Sequence, residues 1–481
     1  MSDGLSERNR FMAAQIQFEN LKKEYGSFRN PLVLVEVEGA EIAKTKSGLM
    51  VGDIEVESTS GYEAGIASFV IYGAYNTNTC AFEYKRVKKY VMLGAQVSIC
   101  IGYGTVVKEV FCGFISHVNF FFQEGENPGI RVNCMDIKGI MMANCYSKQL
   151  MAMSYSDGVQ EIFNSQVYTE MKNRGVIKSL TIADTPDKNN TASSPGGSAT
   201  DIAGTGGLSD LASAGGGISG MLGSASGMSG SATDKTVEMV AESDYEFVVK
   251  AAKKYNYEFF VSAGNVYFRK AKNYKDVLME LSPATGMRNV DVEYNVTGLV
   301  GEVEVRSTDV GKASQITSSV KMKNKLSKGR YASRLINNSS MIYIDPTADS
   351  KQEAGYRAAY LAEDIAYRYG TLEAEFIGLP DLVVGRFVKL VDMGDPVNNL
   401  FYIVSVRHTL DSERGFITRI TAKAAGLGGS YSGGSSSGGL LGGALGGVMD
   451  TVNSAMDAAD DAFAQMDDLA GGATGILGQM L

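Results

Sequence analysis

His117 and His408 are the only histidines in 481 residues. Acid-base chemistry near neutral pH would therefore run through one of them or through a carboxylate with a shifted pKa. Each sits in a strand-like stretch, where a lone histidine reads as a satisfied surface or core residue rather than a catalyst. No His-Glu-x-x-His, Gly-x-Ser-x-Gly or Gly-x-x-x-x-Gly-Lys-Ser/Thr occurs, so zinc-hydrolase, nucleophile-elbow and phosphate-cradling chemistry have no local signature. Metal-ligand spacing is missing as well. Glu363 beside Asp364 could serve glycoside hydrolysis only across a cleft at a defined separation, which adjacency on a helix does not supply. Trp is absent, so a carbohydrate platform would rest on Tyr and Phe. The cysteines at 80, 100, 112, 134 and 145 are odd in number and lack a Cys-x-x-Cys, so neither a disulfide framework nor a zinc ribbon is encoded. Four of the five lie in apolar contexts that predict buried free thiols, suited to a reducing cytoplasm. The residues thus predict no catalytic site, no metal and no cofactor.

Composition narrows the partners. A net charge of −9 argues against broad nucleic-acid binding, which needs clustered cations to displace phosphate counterions. The densest basic run, Lys85-Arg86-Val87-Lys88-Lys89, reads as a solvated edge. No apolar run follows the N-terminus and none is long enough to span a bilayer, so neither a secretory signal nor stable membrane insertion is expected.

Glycine placement divides the chain. Residues 189–232 and 426–481 together hold 27 of the 56 glycines. Such tracts bury too little side chain to offset the entropy of ordering, so they read as an insertion and a tail. Residues 1–31 read as an N-terminal helical arm, in which Phe11, Ala14, Phe18, Leu21 and Tyr25 recur at three-four spacing; they are expected to pack on their own subunit, a two-heptad seam being the alternative. In 32–147, alternation such as Val97, Ile99 and Ile101 against Ser98 and Cys100 predicts half-buried antiparallel strands. Gly39, Gly61, Gly73, Gly94, Gly113 and Gly125 punctuate them, and closure into a barrel or sandwich would remove free edges. Residues 148–188 and 233–282 form a mixed α/β unit. There Ser243 to Glu246 is a capping box, followed by a helix and a hairpin turning at Ala263-Gly264-Asn265. Residues 283–425 return to strands around a helix at 350–369, with a second capping box at Ser350 to Glu353 and Gly370 in the C-cap position.

Four passages in this order resemble the baseplate hub family of contractile phage tails and contractile injection systems, the group of late-control protein D and the N-terminal hub portion of VgrG spikes. They are Gly102-Tyr103 with Val110 to Ile115; Val132 to Asp136; Ser243 to Phe247 running to Tyr257-Glu258-Phe259-Phe260 and Val266 to Arg269; and the helix at 350–369 with Gly378-Leu379-Pro380, Val384 to Val388 and Tyr402 to His408. The resemblance covers most of 32–425. It implies a mainly β fold of two tube-like antiparallel β-barrels with a small α/β domain, Phe111–Ile115 and Phe387–Leu390 being barrel strands. It further implies a non-enzymatic structural subunit whose homotrimer forms a pseudo-sixfold ring, joining a sixfold inner tube or tube adaptor to a separate threefold spike. Assembly would take place in the bacterial cytoplasm. Needle and wall-degrading functions are expected on other chains, because hub-like sequence here gives way to the glycine-rich tail rather than to a needle. A hub-type carrier holding cargo or effector in the channel is the rival reading; a peptidoglycan hydrolase is a weaker one.

Two segments lie outside that resemblance. In the tail, Val448, Val452, Ala455, Ala459, Phe463 and Met466 fall on one helical face, while six Asp and no Lys or Arg follow Lys423. An acidic amphipathic helix suits a groove, a ring lumen or a partner such as a tape-measure protein or cargo rather than an anionic membrane; a loosely ordered solubilising tail is the alternative. The insertion carries Ile202, Leu208, Leu211, Ile218, Met221 and Leu222 and reads as a flexible loop or a second docking segment.

Overall fold

Alternation in the first strand-rich region becomes a sheet with one packed face. The computed structural model describes residues 15–43, 48–186, 236–309, 312–327, 331–428 and 433–435. After helix α1 (Phe18–Glu24) come β1 (Pro31–Val37), β2 (Ala40–Glu41), β3 (Met50–Thr59) and β4 (Ile66–Tyr72). The short pair β5 (Tyr75–Asn76) and β6 (Ala81–Phe82) leads into α2 (Tyr84–Val87), then β7 (Gln96–Tyr103), β8 (Val106–Phe121) and β9 (Gly129–Met135). Val97, Ile99 and Ile101 are fully buried, with Val37 and Val35 opposite the first two on β1. Gly39, Gly73, Gly94 and Gly125 take positive φ, as turns require. Gly113 does not mark a break. It lies within β8, where a Cβ would run into the Met135 carbonyl of β9 and the Phe111 ring. Its glycine serves a close backbone approach.

The middle unit contains α3 (Lys138–Met141), β10 (Tyr146–Gln149), α4 (Tyr155–Phe163), α5 (Gln166–Asn173) and β11 (Ser179–Ile182). Beyond residue 236 follow β12 (Glu238–Glu242), α6 (Asp244–Tyr255), β13 (Tyr257–Ser262) and β14 (Asn265–Lys270). The capping box is complete: the Glu246 N–H donates to Ser243 Oγ at 3.1 Å and the Ser243 N–H to Glu246 Oε2 at 2.8 Å. β13 and β14 form the expected hairpin, and β11 joins β14 in parallel. Segments on either side of the glycine-rich insertion therefore share one small sheet, over a core that includes Phe163, Phe247, Phe259 and Phe268.

The last region contributes β15 (Val277–Leu281), β16 (Met287–Tyr294), β17 (Glu302–Asp309), β18 (Ser314–Met322), α7 (Tyr331–Ile336) and β19 (Ser340–Ile344). Next come α8 (Lys351–Ala366), β20 (Gly370–Ile377), β21 (Phe387–Leu390), β22 (Leu400–Asp411), β23 (Gly415–Ala424) and β24 (Gly433–Ser435). Ser350 caps α8, but the Glu353 carboxylate accepts from the Asp349 N–H at 2.9 Å, so the box closes one residue early. Gly370 opens β20 instead of ending α8. A Cβ there would crowd Ala424 and Tyr294, so its small size serves strand packing. β19, β17, β18 and β24 make a separate four-stranded sheet covered by α8 through Ala354, Ala358 and Ala362.

The fold is mainly β, with a large antiparallel sheet and a small α/β unit. The two strand-rich regions share a single 13-stranded sheet, in the order β16-β20-β23-β22-β3-β4-β9-β8-β7-β1-β2, with β21 and β15 branching from β22. The joint is β22 against β3, from Ser405–Thr59 to Leu410–Ile54. Phe111–Ile115 and Phe387–Leu390 are strand residues as expected. One hydrophobic core runs through both regions, from Ile99 and Phe111 to Phe376, Ile403 and Ile420.

A Gly113→Ala substitution is expected to cost about 1–3 kcal/mol by overpacking, read as a lower melting temperature. An unchanged melt would contradict the close approach of β8 and β9.

Candidate functional site

His408 is buried on β22, with Nδ1 2.9 Å from Thr418 Oγ1, and that hydroxyl oxygen accepts from the Leu379 N–H at 2.8 Å. His117 is exposed on β8. Glu363 and Asp364 diverge: Glu363 is buried and bridged to Lys272 at 2.8 Å, while Asp364 pairs with Arg368 on the surface. Cys112 and Cys134 are buried, Cys100 is partly so, and Cys80 and Cys145 are exposed. No group of three or more His, Cys, Asp or Glu side chains is placed to hold a metal among the described residues. No helix among them is long and apolar enough to cross a membrane.

What the fold does assemble is a set of buried charges where its parts meet. The β13–β14 register sets Glu258 opposite Arg269, and Arg269 Nε donates to Glu258 Oε1 at 2.6 Å. Arg269 Nη2 also donates to the Gly385 carbonyl at 3.0 Å, and the Tyr402 hydroxyl donates to Glu258 Oε2. Burial, and then the Glu258 carboxylate, hold the Tyr402 hydroxyl well above the usual tyrosine range, so it stays a donor. Three chain segments are thereby tied at one ion pair: the hairpin, the loop before β21, and β22. Around it, Lys254 bridges Glu353 at 3.1 Å and Asn256 donates to Glu363 at 2.7 Å. Both contacts seat the middle unit on α8.

A second pair shapes the loop between β3 and β4. Asp136, at the end of β9, accepts from the Gly65 N–H at 2.7 Å, and Lys138 Nζ donates to the carbonyls of Gly61 at 3.1 Å and Glu63 at 2.7 Å. Burial pushes the Asp136 carboxyl up. It also draws the Lys138 ammonium down to about 8, against the pull of Asp136 and Glu63. The pinned loop forms one wall of a cleft of about 620 Å³, with Tyr62, Tyr257, Tyr360, Tyr367 and Tyr402 among its lining. Tyrosines line it together with charged groups such as Glu57, Lys272 and Asp364, a lining suited to seating a chain or a polar surface.

Among the described residues, exposed apolar groups gather beside β8 and on β19, among other places. Tyr75, Phe82, Phe120 and Phe122 form a ring cluster with centroids 5.2–5.3 Å apart; Phe122 is 62% exposed. Strand β19 pairs only with β17 among the described strands and exposes Met341, Ile342 and Ile344. By contrast, edge strand β16 exposes Arg288, Asn289, Asp291 and Glu293, the charged guarding usual for an edge.

Of the arm, Leu21 and Tyr25 are buried and the Tyr25 hydroxyl donates to Asp381 at 2.6 Å, so the helix packs on its own chain; Phe11 and Ala14 lie outside the described residues. So do the tail residues Val448, Val452, Ala455, Ala459, Phe463 and Met466, and the apolar residues of the insertion. Sequence reasoning missed the ring cluster, whose signal was the run Phe120-Phe121-Phe122 just before a turn. It also missed the Glu258–Arg269 pairing, which follows from hairpin register once the turn at Ala263-Gly264 is fixed.

No family model and no curated protein sequence matches the chain. Among solved structures, it is similar to the tail protein from Neisseria meningitidis MC58, with a TM-score of 0.54 and 13% identity over 83% of this chain and 98% of that one. It is also similar to the 43 kDa tail protein of prophage MuSo2 from Shewanella oneidensis, with a TM-score of 0.53 and 11% identity over 82% and 98%. The chain has the fold of these tail proteins.

Arg269→Met is expected to leave Glu258 buried and uncompensated, at a cost of about 3–5 kcal/mol. Adding Glu258→Leu should recover much of that loss in thermal unfolding of the full chain. Single and double variants with equal melts would show that the pair does not tie the junction.

Proposed function

We propose that this chain is a non-enzymatic structural subunit of the baseplate hub in a contractile tail or injection machine. Three copies form a ring that joins a sixfold inner tube, or its adaptor, to a separate threefold spike. The observation that carries the reading is the fold shared with two tail proteins over 98% of each. The continuous sheet supports it. In this reading the two strand-rich regions joined through β22 and β3 supply two matching surfaces per subunit, and three subunits supply six, which is how a threefold ring meets a sixfold one. The apolar edge of β19 supports it too, because an unguarded edge on a solitary protein is an aggregation site and calls for cover by a neighbour. The four passages that resemble hub proteins fall on or beside the elements of this framework, at β7–β9, α6 with its hairpin, and α8 with β21 and β22. The reading places assembly in the bacterial cytoplasm, with a tape-measure protein or cargo as further candidates for the channel.

Light scattering and electron microscopy of the chain co-expressed with its neighbouring tube and spike genes provide the test. The expected result is a mass of three copies per ring, and rings on the particle axis between tube and spike. A chain that stays monomeric and joins neither partner would overturn the assignment.

A further inference from the structure

The basic run of 85–89 and the missed ring cluster belong to one surface. β6 ends at Phe82, whose ring lies 5.3 Å from Phe120, and α2 begins two residues later. Val87 and Tyr90 are buried, and the Tyr90 hydroxyl donates to the Glu41 carbonyl at 3.1 Å. With those two side chains anchored inward, Lys85, Arg86, Lys88 and Lys89 are all exposed. Arg86 pairs with Glu83, and Lys89 lies 4.5 Å from the Tyr90 ring centre. Tyr84 is 51% exposed and Phe120 42%. The result is an aromatic floor with cations along the α2 side. The turn after Phe122 carries exposed Glu124 and Glu126, so an acidic occupant is drawn to the α2 cations rather than to this turn.

Such an occupant is encoded in the same chain. We propose that segment 448–468 docks on this surface, laying Val448, Val452, Ala455, Ala459, Phe463 and Met466 on the rings and aspartates against Lys85, Arg86, Lys88 and Lys89. The segment bears six Asp and no cation, so its charge complements the α2 side and no other exposed run in the chain offers as many cations within five residues. Its apolar residues recur at three-four spacing, the pattern by which a helix fills an apolar surface. The last described strand ends at Ser435. Residues 436–447 add roughly 40 Å of reach when extended, which lets the segment search for the surface on its own or a neighbouring copy. The contact stands whether or not the chain builds a ring.

Native thiols provide the test. Cys80 lies exposed in the β5–β6 turn, within the surface, while Cys145 is exposed elsewhere. In full-length protein carrying Ala459→Cys, mild oxidation is expected to join the new thiol to Cys80 in preference to Cys145, within or between copies. Cys80→Ser should abolish that product. Lys85→Glu with Lys88→Glu and Lys89→Glu, or about 0.5 M salt, should lower its yield by roughly fivefold or more through repulsion or screening. These cations are exposed, and a melting temperature matching the parent confirms that the charge-reversed chain is folded. No bridge, equal bridging to Cys145, or a yield indifferent to both charge reversal and salt would overturn the docking.

Discussion

The carboxylate of Glu258 is shared between a guanidinium and a phenol at a nearly buried position. Buried there, it is satisfied by Arg269 and the Tyr402 hydroxyl, which donate to its two oxygens, with the Lys272 N–H donating at 3.5 Å. That arrangement fixes three things at once. The hairpin must keep its register, the loop before β21 must offer the Gly385 carbonyl to Arg269, and β22 must present Tyr402. Because β22 also pairs with β3, the ion pair ties the middle unit to the strand that joins the last region to the first. Hydrophobic burial supplies most of the stability of such a chain, but it is non-directional. The buried polar groups give the orientation.

Much of the local structure was legible in the residues. The capping box of α6, the β13–β14 hairpin and the alternation of β1 and β7 are set by near neighbours, and each is found where sequence places it. Legibility faded wherever a residue answers to something distant. Gly113 and Gly370 look like punctuation in sequence, yet each is small because a far segment approaches it. The pairing of β22 with β3 links residues some 350 positions apart, and no local pattern announces it. Glu353 closes its cap one residue early because the helix start is also held by Lys254.

Of the surfaces, sequence gave notice of the charges but not of what they border. Lys85 to Lys89 read as a solvated edge, and four of those side chains are exposed. The rings beside them come from three separate places in the chain, brought together by the turn into β5 and by the length of β8. The cleft has the same origin. One of its walls is a loop held by Asp136 and Lys138, a pair unremarkable in sequence beyond the former's place at a strand end.

The long strand β22 has a mechanical meaning. It lies against β23 along one side and against β21 and then β3 along the other. A push along the strand direction would load all of these hydrogen bonds in shear, together, rather than peeling them one by one. Force entering the sheet from the last region would therefore pass into the first through backbone alone, without crossing a side-chain interface that could slip. A molecule built this way behaves under thrust as a stiff plate rather than as two beads on a hinge.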